Sequence, residues 1–202
     1  MNRLKLTAPT LLIIFSIFWI LLAINPNHRG IWLAENLILL ICLAYLIGNY
    51  RHFKFSNTAY KLIFIFSILQ TIGAHYSYAE VPMGFWVAEI LDIQRNHYDR
   101  LVHFAFGFLI ILPFQELLRR SVKFSSRTTE ISILVLLFIG ISASYEILEW
   151  WYAVLYEQDT QESSMFLGSQ GDIWDAEKDV FLAGLGAWLY LIFFNTKKTL
   201  NY

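Results

Sequence analysis

Charge is what this chain has least of. Asp, Glu, Lys and Arg make up 15% of its 202 residues, against roughly 25% in a soluble domain, while 57% are hydrophobic and the mean hydropathy is +0.50. That balance excludes an ordinary soluble globular protein and indicates a membrane protein. Cysteine is nearly absent. Cys42 stands alone, so no intramolecular disulfide can form and the redox compartment leaves no trace in the sequence. Glycine and proline are sparse, and no internal repeat or low-complexity segment is present. There is no P-loop, no zinc-finger spacing and no basic helix interleaved with aromatics, so nucleic acid is not an expected partner.

Long apolar runs are what the chain does have. A bilayer-spanning helix needs roughly 20 mostly apolar residues, and six segments qualify, at about 6–24, 31–49, 61–79, 100–118, 130–151 and 176–194. The expected fold is all-α: a polytopic membrane protein, one integral domain built as a bundle of six transmembrane helices. The longest connections, about 80–99 and 152–175, leave no room for a separate soluble domain. Arg3 and Lys5 precede the run LTAPTLLIIFSIFWILLAI, which is too long for a signal-peptide core and lacks an A-x-A-like cleavage site, so it reads as a retained first helix. Segment 81–98 suggests a short interfacial piece, but its helical period is not convincing.

Six spans sort the charges. Arg3, Lys5, Arg51, Lys54, Lys61, Arg119, Arg120, Lys123, Arg127, Lys197 and Lys198 share one side, 11 of the 15 basic residues. The positive-inside rule makes that side cytoplasmic, with both termini on it. The opposite side holds 14 of the 16 acids and should attract cations. Trp32, Trp86, Trp150, Trp151 and Trp174 are explained there as an aromatic belt, and Ala183, Gly184, Gly186 and Ala187 as a surface for close helix packing.

Ionisable residues inside spans are costly and usually face a bundle interior or a cavity. Asp99 and His103, four residues apart, share a helical face, as do Glu146 and Glu149, three apart. In the stretch GSQGDIWDAEKDVFLAG, Gly168 to Gly184, the acids Asp172, Asp175 and Asp179 again follow helical spacing. With His75, Glu35 and Asn36 they put polar groups at a similar depth in five of the six helices. Simpler readings exist for several. Asp172 and Asp175 resemble an N-cap followed by an acid at N3, His75 a plain interhelical hydrogen bond, and Glu35 with Asn36 a helix lip. Glu146 and Glu149 lie toward a helix C-terminus, where the macrodipole disfavours anions. They therefore need a partner, for which Arg100, Arg95, His103 and an external metal are candidates.

These residues carry a resemblance. The whole chain resembles the YjdF-type family of bacterial inner-membrane proteins, which implies an inner-membrane location and no particular activity. Residues from about 97 to 190 more distantly resemble the VanZ-like family. The first motif reads Asp99-Arg100-Leu101-Val102-His103-Phe104, the second Tyr145-Glu146-Ile147-Leu148-Glu149, and the third Asp172-x-x-Asp175-x-x-x-Asp179 before Gly184 and Gly186. Arg100 replaces a Lys, Glu149 stands where a Gln is common, and Asp179 where an Asn is common. VanZ-like proteins are linked to glycopeptide resistance and envelope phenotypes, so the likeness implies an outward-facing acidic site more than a named reaction.

Three functions fit this set. The first is a membrane-embedded enzyme acting on an envelope lipid or lipid-linked substrate. In it Asp175, Asp179 and Glu146 would ligate a divalent metal ion, His103 would be a ligand or a general base oriented by Asp99, Glu149 a general acid, and Arg100 a holder of an anionic headgroup. The second is a small cation- or proton-coupled permease, against which the nearly bare inner halves of the helices count. The third is a structural hydrogen-bond network in an envelope-stress or partner protein.

Overall fold

The computed structural model describes residues 7–156 and 170–194. Arg3, Lys5, Lys197, Lys198 and Gly168, which entered the orientation and motif readings, lie outside the described residues. Seven helices and no strand occur among the described residues: α1 (Ala8–Leu22), α2 (Arg29–Asn49), α3 (Asn57–Tyr76), α4 (Pro82–Ile90), α5 (Tyr98–Ser121), α6 (Arg127–Tyr156) and α7 (Asp175–Phe193). Each of the six long segments expected from hydropathy is a helix. α2, α5 and α6 are long and apolar enough to cross a membrane. α1 is shorter, at 15 residues. α3 is diluted by Gln70, Thr71 and His75, and α7 opens on Asp175, Glu177, Lys178 and Asp179.

Two boundaries differ instructively. α4 forms within 81–98, where no clear period was legible; Pro82 starts it with a fixed φ and no amide to satisfy. Asn96, fully buried, then pins α4 by donating from Nδ2 to Val81 O at 2.9 Å. α6 continues to Tyr156, past the expected 151, so Glu146 and Glu149 sit inside the helix rather than at its end. The macrodipole penalty expected for them is correspondingly weaker.

Local chemistry sets other ends. Ser56 caps α3 by accepting from Ala59 N at 3.1 Å, satisfying a donor the first turn leaves open. Ser77 and Tyr78 both adopt positive φ (56° and 47°), turning the chain out of α3.

α5 is the hub, packed most extensively on α7 and then on α3, while α6 lies mainly against α7, and α1 and α2 against α3. The core gathers Ile110, Ile111 and Leu112 of α5, Leu134 and Phe138 of α6, and Ala187, Tyr190 and Leu191 of α7. Outward-facing Ile13, Leu136 and Phe181 remain more than 60% exposed, an apolar exterior that water would not tolerate and lipid would cover. Trp86, Trp150, Trp151 and Trp174 are exposed as a belt requires. Trp32 is not: it is 6% exposed and packs on Trp19, with ring centroids 5.3 Å apart.

At the end where α5 finishes and α6 begins, buried Glu130 accepts from Gln115 Nε2 (2.9 Å), Arg119 Nε (2.6 Å) and Arg127 Nη1 (3.0 Å). Arg127 also reaches Leu191 O, so the basic end of the bundle is tied across α5, α6 and α7.

Candidate functional site

The other end is acidic. α5 and α7 both begin there and run parallel, so Asp99 lies in the first turn of one and Asp175 in the first turn of the other. Their side-by-side approach depends on missing side chains. A Cβ added at Gly107 would sit 1.9 Å from Ala183 O, and one at Gly186 would sit 2.3 Å from Phe104 O. The small-residue stripe read from α7 packs here as expected, against a glycine of α5 that the sequence did not single out.

That contact brings Asp99 and His103 of α5 against Asp179 of α7. One ligand-type atom from each of the three lies within 4.8 Å of the other two. Asp179 is 1% exposed, and its Oδ1 has no hydrogen-bond partner among the described residues, although a buried carboxylate oxygen normally finds one. His103 Nε2 lies 3.6 Å from Asp99 Oδ1 and 3.3 Å from Glu146 Oε1. Its Nδ1 is 3.1 Å from Ser142 Oγ. Glu149 follows Glu146 by one turn on the same face of α6, half-buried.

Asp175 has a different set of neighbours. It is bonded to Arg95 and lies 3.1 Å from Arg100 Nη2. Arg100 Nη2 also reaches Asp172 Oδ2 at 2.5 Å, an atom that accepts from Lys178 Nζ at 2.5 Å as well. Asp172 is not a helix cap: α7 starts three residues later, and Asp172 Oδ1 accepts from Trp174 N at 3.1 Å. This lattice of cations and acids closes over the end of α7. The lysine contact first, then the Trp174 amide and Arg100, hold the Asp172 carboxyl well below the usual carboxylate range. Burial first, then the adjacent Arg100 and Arg95, push the neighbouring His97 below its ordinary value. Of the partners proposed for Glu146 and Glu149, His103 faces Glu146, while Arg95 and Arg100 face Asp172 and Asp175.

A second polar centre lies beside the first. Glu35 of α2, 2% exposed, accepts from Gln70 Nε2 (3.1 Å), Tyr78 Oη (3.0 Å) and Tyr145 Oη. Glu35 is therefore no helix lip but a buried acceptor joining α2, α3 and α6. Tyr145 sits one residue before Glu146, with its ring 6.2 Å from the His103 ring, so the two centres touch. Ser142, Tyr145, Glu146 and Glu149 stand at i, i+3, i+4 and i+7 along one helical face, and that spacing was the available signal for Ser142. Tyr78 had none, because a positive-φ turn delivers it. His75 makes the plain interhelical bond expected of it, Nδ1 to Leu22 O at 2.7 Å.

Atoms on opposite sides of a bound ion are separated by at most twice the metal–ligand distance, about 4–5 Å for bonds of 2.0–2.6 Å. The Asp99, His103 and Asp179 atoms, within 4.8 Å of one another, fall at the upper end of that range; a mixed His/carboxylate set suits Zn²⁺ or Mn²⁺, whose shorter bonds would draw the three together to about 4.4 Å or less.

Comparison with known proteins agrees with the membrane character of the chain. Residues 8–199 match the family model described as predicted membrane protein (DUF2238). The chain is 36% identical over 170 residues, 84% of its length and 80% of the relative's, to inner membrane protein YjdF of Escherichia coli (strain K12). No solved structure matches. A family match across nearly the whole chain and a relative of this coverage assign the protein to the DUF2238 family of membrane proteins.

Proposed function

We propose that this protein crosses the bacterial inner membrane six times with both termini in the cytoplasm, and that its acidic end is a divalent-metal site of an enzyme acting on envelope lipids or lipid-linked substrates. The observation carrying the proposal is the Asp99, His103 and Asp179 triad within 4.8 Å, with an unpartnered Asp179 oxygen buried in it. Polar groups between membrane helices average only about 0.6 kcal/mol each as structural links. A buried acid lacking even that link needs another reason to be there. Asp179, His103 and Asp99 are ligands, with Glu146 beside His103 at 3.3 Å. Asp175 serves indirectly, holding Arg100. A bound ion would polarise a phosphoryl or acyl oxygen or activate a water. In this reading Glu149 is the general acid, and Arg100 the group that exchanges Asp172 for an anionic head. The VanZ-like order of motifs over residues 97–190 supports an envelope setting.

A structural-network reading is favoured by Glu35, whose three donors leave it well satisfied. A permease is disfavoured, because the acidic and basic polar ends are separated by the apolar layer of Phe106, Ile110, Ile111 and Phe138.

The test is elemental analysis of dialysed, detergent-purified protein after loading with Zn²⁺ or Mn²⁺, comparing wild type with Asp99→Ala, Asp179→Ala and the shape-conserving Asp179→Asn. Near-stoichiometric metal in the wild type, lost in all three variants with helicity retained, is expected. Wild-type protein that retains no metal would end the metal reading. If Asp179→Ala and Asp179→Asn then also failed to fold, the acids would be a structural network.

A further inference from the structure

Beside the triad lies a partly open cavity of about 490 Å³ lined by α2, α3, α5 and α6, within the roughly 300–1,000 Å³ typical of small-ligand sites. Its chemistry is lopsided. Asp99, His103, Ser142 and Tyr145 line one end, and beyond them the α5 wall is Val102, Phe106, Ile110, Pro113, Phe114 and Leu117. These recur at helical spacing, so one face of α5 forms a continuous apolar track. From Asp99 to Leu117 the track extends about 27 Å at 1.5 Å per residue, close to the ~30 Å of a bilayer's hydrocarbon core.

The helix packing explains the space. α2 rests on α3, and α6 rests mainly on α7, so α2 and α6 leave a gap between them that the face of α5 helps to line. They are joined near the acidic end by the Tyr145–Glu35 bond. Pro113, within α5, has no amide to donate and presents its ring to the cavity. From α2 the wall includes Ile38, Ile41 and Cys42, all exposed. A core meant only for stability would be filled with side chains to crystal-like density.

We propose that this cavity binds the long hydrocarbon chain of an amphiphile whose polar head lies at Asp99 and His103. The proposal rests on the reading of the acidic end as a reaction site and names its substrate class: the head meets the triad while the chain lies along α5. A soluble metabolite would leave the apolar track unused, and a bare hydrocarbon would leave Asp99 and His103 facing oil, which polar groups resist. Two sources share this chemistry, a two-chain bilayer phospholipid and a carrier with one long chain.

The experiment is photolabelling of the full protein in phosphatidylethanolamine–phosphatidylglycerol vesicles with two probes, each carrying a terminal diazirine: a hexadecyl phosphate and a two-chain phosphatidylglycerol. Modified peptides are then mapped by mass spectrometry. Labels should concentrate on cavity residues such as Cys42, Phe106 and Phe114 over exposed Ile13 and Leu136. Cys42→Trp, on the exposed wall of α2, should reduce them several-fold, while Leu136→Trp should not. The probe that labels more strongly identifies the source. Labelling spread evenly over the lipid-facing surface, or unchanged by Cys42→Trp in folded protein, would overturn the proposal. Chain binding does not depend on metal. Cavity labelling in a protein that holds no metal would therefore sink only the metal reading, and metal without cavity labelling would sink only this one.

Discussion

Glu35 shows what a single buried carboxylate does here: three donors from two other helices and a turn converge on it. In Glu35→Leu, the three donors lose the one oxygen, Oε2, on which they all converge. A loss of about 1–3 kcal/mol is expected from the broken and unsatisfied hydrogen bonds, read as a lower melting temperature in detergent. Unchanged melting would show that the cage contributes nothing. Asp172 and His97, both outside the helices, make the acidic end sensitive to pH. The folded Asp172 carboxyl is lowered, so its contribution is complete above the unfolded value near 4 and fades as pH falls through the lower folded value. His97 is also lowered, so below about 6.5 the unfolded chain takes up a proton that the folded one resists. Both shifts have the same sign. Melting temperature should fall on acidification from neutral pH, and Asp172→Asn should flatten the most acidic part of the profile. A profile rising toward low pH would contradict both assignments. At this scale the sequence was partly legible: spacing paired Asp99 with His103, but nothing in it could show that Asp175 faces two arginines while Asp179 faces none.

Among the helices, the α5–α7 seam is where packing is tightest. Gly107→Val or Gly186→Val would drive a side chain into backbone carbonyls of the facing helix, which cannot swing aside. Destabilisation should reach or exceed the roughly 1–3 kcal/mol of ordinary overpacking. Gly48→Ala and Gly140→Ala meet nothing within 4 Å and should stabilise by up to about 1 kcal/mol through helix propensity. Denaturation of all four in one detergent provides the comparison, and glycine-to-valine variants as stable as those controls would refute the close approach. The stripe on α7 was legible because small residues stood next to one another. Its mate at Gly107 was not, since a lone glycine in an apolar helix signals nothing by itself. Segment 81–98 read only as a short interfacial piece without a convincing period, because the nine residues of α4 span too few turns for a period to show, and Pro82 and the Asn96 clamp hold them.

At the level of the whole molecule, hydropathy marked all six long helices, and charge asymmetry gave an orientation that experiment can address. Reporters fused at either terminus should be active only in the cytoplasm, and one inserted at Asp92, an exposed turn, only outside. Terminal reporters on opposite faces would refute an even number of crossings. The arrangement of helices was not legible, because it depends on which small residues meet, and lipid-facing apolar side chains look the same in sequence as buried ones. The seam at Gly107 and Gly186 also bears on motion. With backbone against backbone there is no layer of side chains to slide or repack, so α5 and α7 move as one rigid unit. Asp99, His103 and Asp179 all ride on that unit and keep their spacing through any rearrangement. A swing of α2 would thus run against a fixed acidic cluster, with the Tyr145–Glu35 hydrogen bond as the contact that has to break.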